Sequence, residues 1–275
     1  MLIGIFDTET MSPVGATGPD PMQDVVVEAA MLVTDTRDWS IVSAQAESFD
    51  VYHGELSTPG WMPPRYARNT SPMRWPDNLD AIVAHNADYD RIVTENLHAI
   101  NRPPADGKWL CSYNQVRWPF PPCVQSELAA RLGVPIVGAH TALGDVMTLW
   151  RCLSMLKTED ISVALQRTPH VVPYDTTREQ VEVAAAAWPW LRWDRKLGRH
   201  CAWLAKYEPN LCGLELIEAG PSRVVEVASP YEKASVTRSW QGARWDPAKK
   251  VWTLRLFDGE QLPGWATIVG EVEAA

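Results

Sequence analysis

The chain has 275 residues, 46% of them hydrophobic and 21% charged, which suits one large domain or a medium one with a small companion. That apolar content argues against extended disorder, and with no apolar run near the roughly 18 residues that span a bilayer, an integral membrane protein is not expected. The net charge is -9, and all of it lies early: residues 1–160 hold 20 acids and 11 bases, residues 161–275 hold 14 of each.

The opening MLIGIFDTET has no basic leader and runs straight into acids, so export is not expected. Cys111, Cys123, Cys152, Cys201 and Cys212 form an odd set without a C-x-x-C pair. This speaks against a disulfide framework or a zinc site and fits a reducing cytoplasm.

In chain order, LIGIF at 2–6 reads as a buried strand, and 25–33 and 41–51 read as two further strands around the turn-like TDTRD. Residues 53–79, rich in Pro, Gly, Arg and Asn without a period, read as a long surface excursion. An alternation follows: strand DAIVA, a helix from Asn86 to about Ile100, strand KWLCS, a helix from Val124 to Leu132, and a last helix from Thr141 to about Met155. The layout implies an α/β domain, a mixed sheet covered by helices, ending between Lys157 and Pro173.

Beyond it lies a degenerate repeat. Pro173-Tyr174-Asp175, Arg192-Trp193-Asp194, Lys196 and Trp203 recur as Pro230-Tyr231-Glu232, Arg244-Trp245-Asp246, Lys249 and Trp252. Each copy reads as strand, helix, tight turn, strand. The expected organisation is a domain over 1–160 and tandem small α+β modules over 168–275.

Three motifs carry chemistry. Asp7-Thr8-Glu9-Thr10 follows the first strand, and period two along an extended chain puts Asp7 and Glu9 on one side, where both could share a metal ion. Taken alone, a D-x-E is more often an acidic turn. In His85-Asn86-Ala87-Asp88-Tyr89-Asp90 a strand gives way to a helix. Positions two apart on a helix diverge by about 200°, so only one of Asp88 and Asp90 can face a common centre. Asp90 is the better candidate, because a first-turn Asp88 is explained by the helix dipole and Asn86 by capping. The third motif, His140-Thr141-Ala142-Leu143-Gly144-Asp145, opens the last helix, where a His ahead of the first turn can converge with the Asp.

Asp7, Glu9, Asp90, His140 and Asp145, in this order and on these elements, resemble the DEDDh family of 3'-5' exonucleases, the DnaQ-like branch of the ribonuclease H-like fold. The match covers about residues 1–157. Trp109-Leu110-Cys111 ahead of Trp118-Pro119 looks nearest to the exonuclease X group. The resemblance implies a mixed β-sheet flanked by helices and two divalent ions, Mg²⁺ or Mn²⁺. Asp7, Glu9 and Asp145 would hold the first ion and Asp7 with Asp90 the second, with His140 as general base. It also places Thr10, Met11, Asn86 and Tyr89 among the positions that meet the substrate's terminal nucleotide. Met11 departs from the usual threonine, and Tyr89 from the usual phenylalanine.

The charge arithmetic agrees. At an effective dielectric of 20, like charges about 4 Å apart repel by roughly 4 kcal/mol, so four clustered carboxylates call for cations. Oxygen-only ligands favour Mg²⁺ or Mn²⁺ over zinc, and an imidazole that ordinarily titrates near pH 6.5 suits a general base.

The tail places Arg192, Arg195, Lys196, Arg199 and Lys206 among Trp190, Trp193 and Trp203. Interleaved cations and aromatics suit a single-strand binder, but tryptophans are also what two very small modules need as core. The leading expectation is a metal-dependent 3'-5' exonuclease acting on DNA ends and releasing 5'-mononucleotides. The alternatives are an exoribonuclease of the ribonuclease T or oligoribonuclease kind and a non-catalytic nucleic-acid-binding adapter.

Overall fold

The first strand, β1 (Leu2–Met11), is twice as long as LIGIF, so the D-T-E-T motif lies within it and not after it. The extension is held by β2 (Val25–Asp35), which pairs antiparallel with β1 from Leu2↔Asp35 to Met11↔Val25, with a bulge between Glu9 and Thr10. A computed structural model describes residues 1–12, 15–49, 73–95, 108–205 and 213–272 of the chain. Most of the expected excursion at 53–79, the last turn of the helix expected to reach Ile100, and Lys206 and Cys212 lie outside the described residues.

β3 (Ser40–Ser48) pairs antiparallel with β2, while β4 (Ala81–Ala84) and β5 (Trp109–Cys111) run parallel to β1, giving the order β3-β2-β1-β4-β5. This is a five-stranded mixed sheet, as the sequence reading expected. Helices α1 (Ala87–Glu95), α2 (Gln125–Leu132) and α3 (Ala142–Leu153) flank it. Alternation along β1 feeds two cores. Ile3 and Ile5 point with Ala30 and Leu32 into a cluster completed by Val146 and Leu149 of α3. Phe6 packs on the opposite face with Met31, Ile82 and Val93 of α1.

One helix had no sequence expectation. Thr158–Ala164 forms α4, its first turn closed by the Lys157 amide donating to Asp160 Oδ2 at 2.9 Å. Ile161 and Ala164 enter the first core, which carries the compact unit Met1–Leu165 past residue 160. The second unit is Gln166–Ala275. Among the described residues no helix is long and apolar enough to cross a membrane.

Within the second unit the repeat is structural. The first copy folds as β6 (Thr168–Val171), α5 (Arg178–Ala187), β7 (Arg192–Asp194), β8 (Arg199–Leu204) and β9 (Ile217–Glu218). The second folds as β10 (Ser222–Ala228), a 3-10 turn leading into α6 (Ala234–Ser239), β11 (Arg244–Asp246), β12 (Val251–Phe257) and β13 (Thr267–Val272). The sheet orders correspond, β7-β8-β6-β9 and β11-β12-β10-β13. Each copy therefore has a short R-W-D strand before the tight turn and a closing edge strand, beyond the strand, helix, turn, strand expected.

The copies share a core. Tyr174 of the first stacks edge-on against Trp240 of the second, with centroids 4.9 Å apart. Arg199 is 0% exposed and pairs at 3.1 Å with Glu260, itself 5% exposed. The same guanidinium donates to the carbonyls of Val172 and Arg255. Arg199 is thus a buried strut between the copies and not part of a cationic surface, contrary to the sequence expectation. Trp188, Trp240 and Trp252 are buried core residues, whereas Trp193 and Trp245 are exposed at equivalent positions.

Candidate active site

The β1 alternation that buries Ile3 and Ile5 puts Asp7 and Glu9 on the same face, at the strand end where the hydrophobic layer stops. Asp145, in the first turn of α3, meets them there, and one carboxylate oxygen from each of the three lies within 4.8 Å of the others. The approach depends on how α3 begins. Thr141 caps the helix by accepting from the Gly144 amide at 3.1 Å and donates to the Gly138 carbonyl at 2.7 Å. The 137–138 segment is thereby folded back over the first turn, where a Cβ on Gly144 would sit 2.1 Å from the Gly138 oxygen. Only glycine fits there. His140 lies in this tight loop, exposed, with φ of 62°, a left-handed backbone uncommon outside glycine. Its charge and its backbone amide both act on Asp145.

Asp90 is brought close but not into that trio. It sits on α1, which packs against the Phe6 face of the sheet, and its Oδ1 accepts from the Thr8 amide at 3.1 Å and the Thr8 hydroxyl at 2.7 Å. It still acts electrostatically on Asp7.

Burial and mutual repulsion dominate the titration. Asp7 is raised well above the ordinary carboxylate range, by burial first and then by Asp90, Asp145, Glu9 and Glu28. Glu9 is pushed to about 7 by burial and by the charges of Asp145 and Glu28. Asp90 also reaches about 7 through burial, against the two Thr8 hydrogen bonds that favour its ionised form. Asp145 is raised by burial, with His140 pulling it down. Carboxylates this disfavoured as anions in the protein alone are a fit for bound cations, and an all-oxygen donor set suits Mg²⁺ or Mn²⁺.

The other expected site residues have separate settings. Thr10 and Tyr89 share a 2.7 Å hydrogen bond, and the Tyr89 hydroxyl also donates to Asp24. This accounts for tyrosine in place of phenylalanine: the hydroxyl ties α1 to β1 and to the segment before β2. Met11 is only 7% exposed, so its side chain offers little surface to a nucleotide. Asn86 is exposed with φ of 80°, and its carbonyl accepts the Tyr89 amide at 2.9 Å. His85 of the same motif is structural, held between the Ser112 hydroxyl and the Cys123 carbonyl and depressed by burial to about 4.

One residue at the site had no sequence expectation. Glu28, 4% exposed, pairs with Glu9 across the β1–β2 ladder and accepts from the Ala142 amide at 3.2 Å, while its Oε1 is buried without a hydrogen-bond partner. The available signal was a lone acid inside the apolar run VVVEAAMLV, since a buried charge requires a partner.

No protein-family model matches the sequence, nor does any curated protein. Among solved structures the chain is similar to E. coli exonuclease I in complex with a dT13 oligonucleotide, at 14% identity and a TM-score of 0.46, over 79% of this chain and 65% of that one. It is also similar to the nuclease domain of 3'hExo, a DEDDh family member bound to rAMP, at 13% identity and TM-score 0.39 over 56% of this chain and 90% of that one. The cell-death related nuclease CRN-4 matches at 10% identity and TM-score 0.40, over 74% and 80% of the two chains. The chain spans a little under two thirds of the exonuclease I chain.

Proposed function

We propose that this chain is a metal-dependent 3'-5' exonuclease that hydrolyses DNA phosphodiester bonds from the 3' end and leaves 5'-mononucleotides. The observation that carries the reading is the meeting of Asp7, Glu9 and Asp145 at the end of β1, with Asp90 in electrostatic reach and His140 beside Asp145. Asp7, Glu9 and Asp145 would hold one divalent ion and Asp7 with Asp90 a second; such ions supply charge neutralisation on both sides of a scissile phosphate.

The chain's own residues do the rest. Thr8 fixes Asp90 so that one carboxylate oxygen is committed and the other remains for the site. The Thr141 cap and the Gly138–Gly144 contact hold the His140 loop against α3, and His140 takes the proton from the attacking water. Its exposure allows the imidazole to pass that proton on to solvent.

The test uses DNA and RNA oligomers labelled at the 5' end, incubated with the full chain with and without Mn²⁺ or Mg²⁺. The expected result is a metal-dependent ladder shortening from the 3' end on DNA. Degradation of RNA alone would move the substrate to RNA, and inertness toward both would leave a binding adapter.

A further inference from the structure

The two repeats of the second unit border an open cleft of about 250 Å³ that the nuclease chemistry does not use. Gly198 and Gly242 line it where the copies meet: Gly242, with φ of 77°, lies so near the Gly198 carbonyl that a Cβ would stand 2.3 Å from that oxygen. Its walls carry Trp193, Arg195 and Lys196 from the first copy and Arg244 and Arg255 from the second, and no carboxylate is among the described lining residues. Arg195 and Arg244 are exposed, and neither guanidinium has an ion-pair or hydrogen-bond partner among the described residues. Two guanidinium groups lining one cleft, with no carboxylate among its described lining residues, repel one another, and an anion relieves that repulsion.

The cleft is smaller than the roughly 300 Å³ at which small-molecule pockets begin. It has room for a phosphate and part of a sugar, but not for a whole engulfed nucleotide. Trp193, 44% exposed at the rim and edge-on to the His200 ring, leaves surface against which a base can stack.

We infer that the cleft between the two repeats binds the sugar-phosphate backbone of a single-stranded nucleic acid, with Arg195 and Arg244 on a phosphate and Trp193 under a neighbouring base. The substrate class rests on the exonuclease reading; the site does not, because the second unit forms it alone.

The experiment uses the full chain in EDTA, so that nothing is cleaved, and follows fluorescence polarisation of a labelled 15-mer of oligodeoxythymidylate and one of oligouridylate over a salt series. Arg195→Gln combined with Arg244→Gln is expected to weaken binding at least about tenfold and to make the log–log salt slope shallower by about 1.4, two phosphates at the single-strand value. Trp193→Ala is expected to cost between about 5- and 150-fold with the slope unchanged. Loss in either arm supports the cleft and identifies the sugar it accepts. Unchanged affinity and slope in both arms, with unchanged thermal melting, overturn it. Should a variant melt early, ultraviolet crosslinking of the unaltered protein to an iodouracil oligomer decides: adducts at Trp193 support the cleft, and adducts confined to other residues refute it. A protein that binds through these residues yet cleaves nothing would refute the nuclease and leave the cleft standing. A nuclease whose cleft variants bind normally would do the reverse.

Discussion

Glu9 and Glu28 face each other across the β1–β2 ladder, and Glu28 accepts the first amide of α3, that of Ala142. Like charges opposite one another in a sheet are destabilising, so the pair persists because each acid has another commitment: Glu9 to the trio with Asp145, Glu28 to the helix that carries Asp145. Glu28→Ala should therefore let the start of α3 drift and lower turnover by about 10- to 100-fold, the scale of a misplacement near 1 Å. Glu28→Gln, whose amide oxygen can still accept from Ala142, should stay within a few-fold of the original rate. Equal losses in both would show that the charge matters and not the hydrogen bond.

Asp7→Asn or Asp145→Ala should abolish turnover while the metal-free protein melts at the same or a higher temperature, since removing one acid relieves repulsion among the others. Paired melting curves and activity measurements check this; full activity in either variant would overturn the ligand assignment.

His140→Ala should lower turnover by about 10² to 10⁴ fold, the usual contribution of a general base. Calorimetric Mn²⁺ binding should be almost unchanged. A loss of metal affinity in proportion to rate would make His140 a ligand instead.

Without divalent ions, stability should fall as pH rises. Glu9 and Asp90 titrate at about 7 in the folded protein and in the ordinary carboxylate range when unfolded, so between those values the folded state binds more protons. The stabilisation is complete below about pH 4 and is lost progressively up to about pH 7. Adding Mn²⁺ near pH 7.5 should restore the melting temperature. A metal-free melting temperature that rises across this window would contradict the reading.

Much of the site was legible because its signals are local. Period two places Asp7 and Glu9 together, and His140 and Asp145 are only five residues apart in the sequence. What escaped depends on distant partners. Glu28 reads as an oddity in an apolar strand until Ala142, 114 residues away, supplies its hydrogen bond. Arg199 sits among surface cations in the sequence, but its carboxylate is 61 residues on, in the other repeat. Asp90 was named from its motif, but its Thr8 partner, 82 residues away on β1, was not. Likewise α4 is short, and tertiary burial of Ile161 and Ala164 holds it more than any strong helical pattern does.

Arg199→Ala should destabilise the second unit by about 3–5 kcal/mol, because it strands the buried Glu260 carboxylate. Chemical denaturation checks this. A loss below about 1 kcal/mol would mean the pair behaves like an exposed one.

The most direct measurement is the identity of the first product. With Mn²⁺ and a short DNA oligomer, mass spectrometry at early times should find a 5'-mononucleotide from the 3' end and an oligomer shorter by one residue, both absent with Asp7→Asn. Internal cuts, products carrying a 3' phosphate, or the same release by Asp7→Asn would contradict a carboxylate-held 3'-5' exonuclease centre at the end of β1.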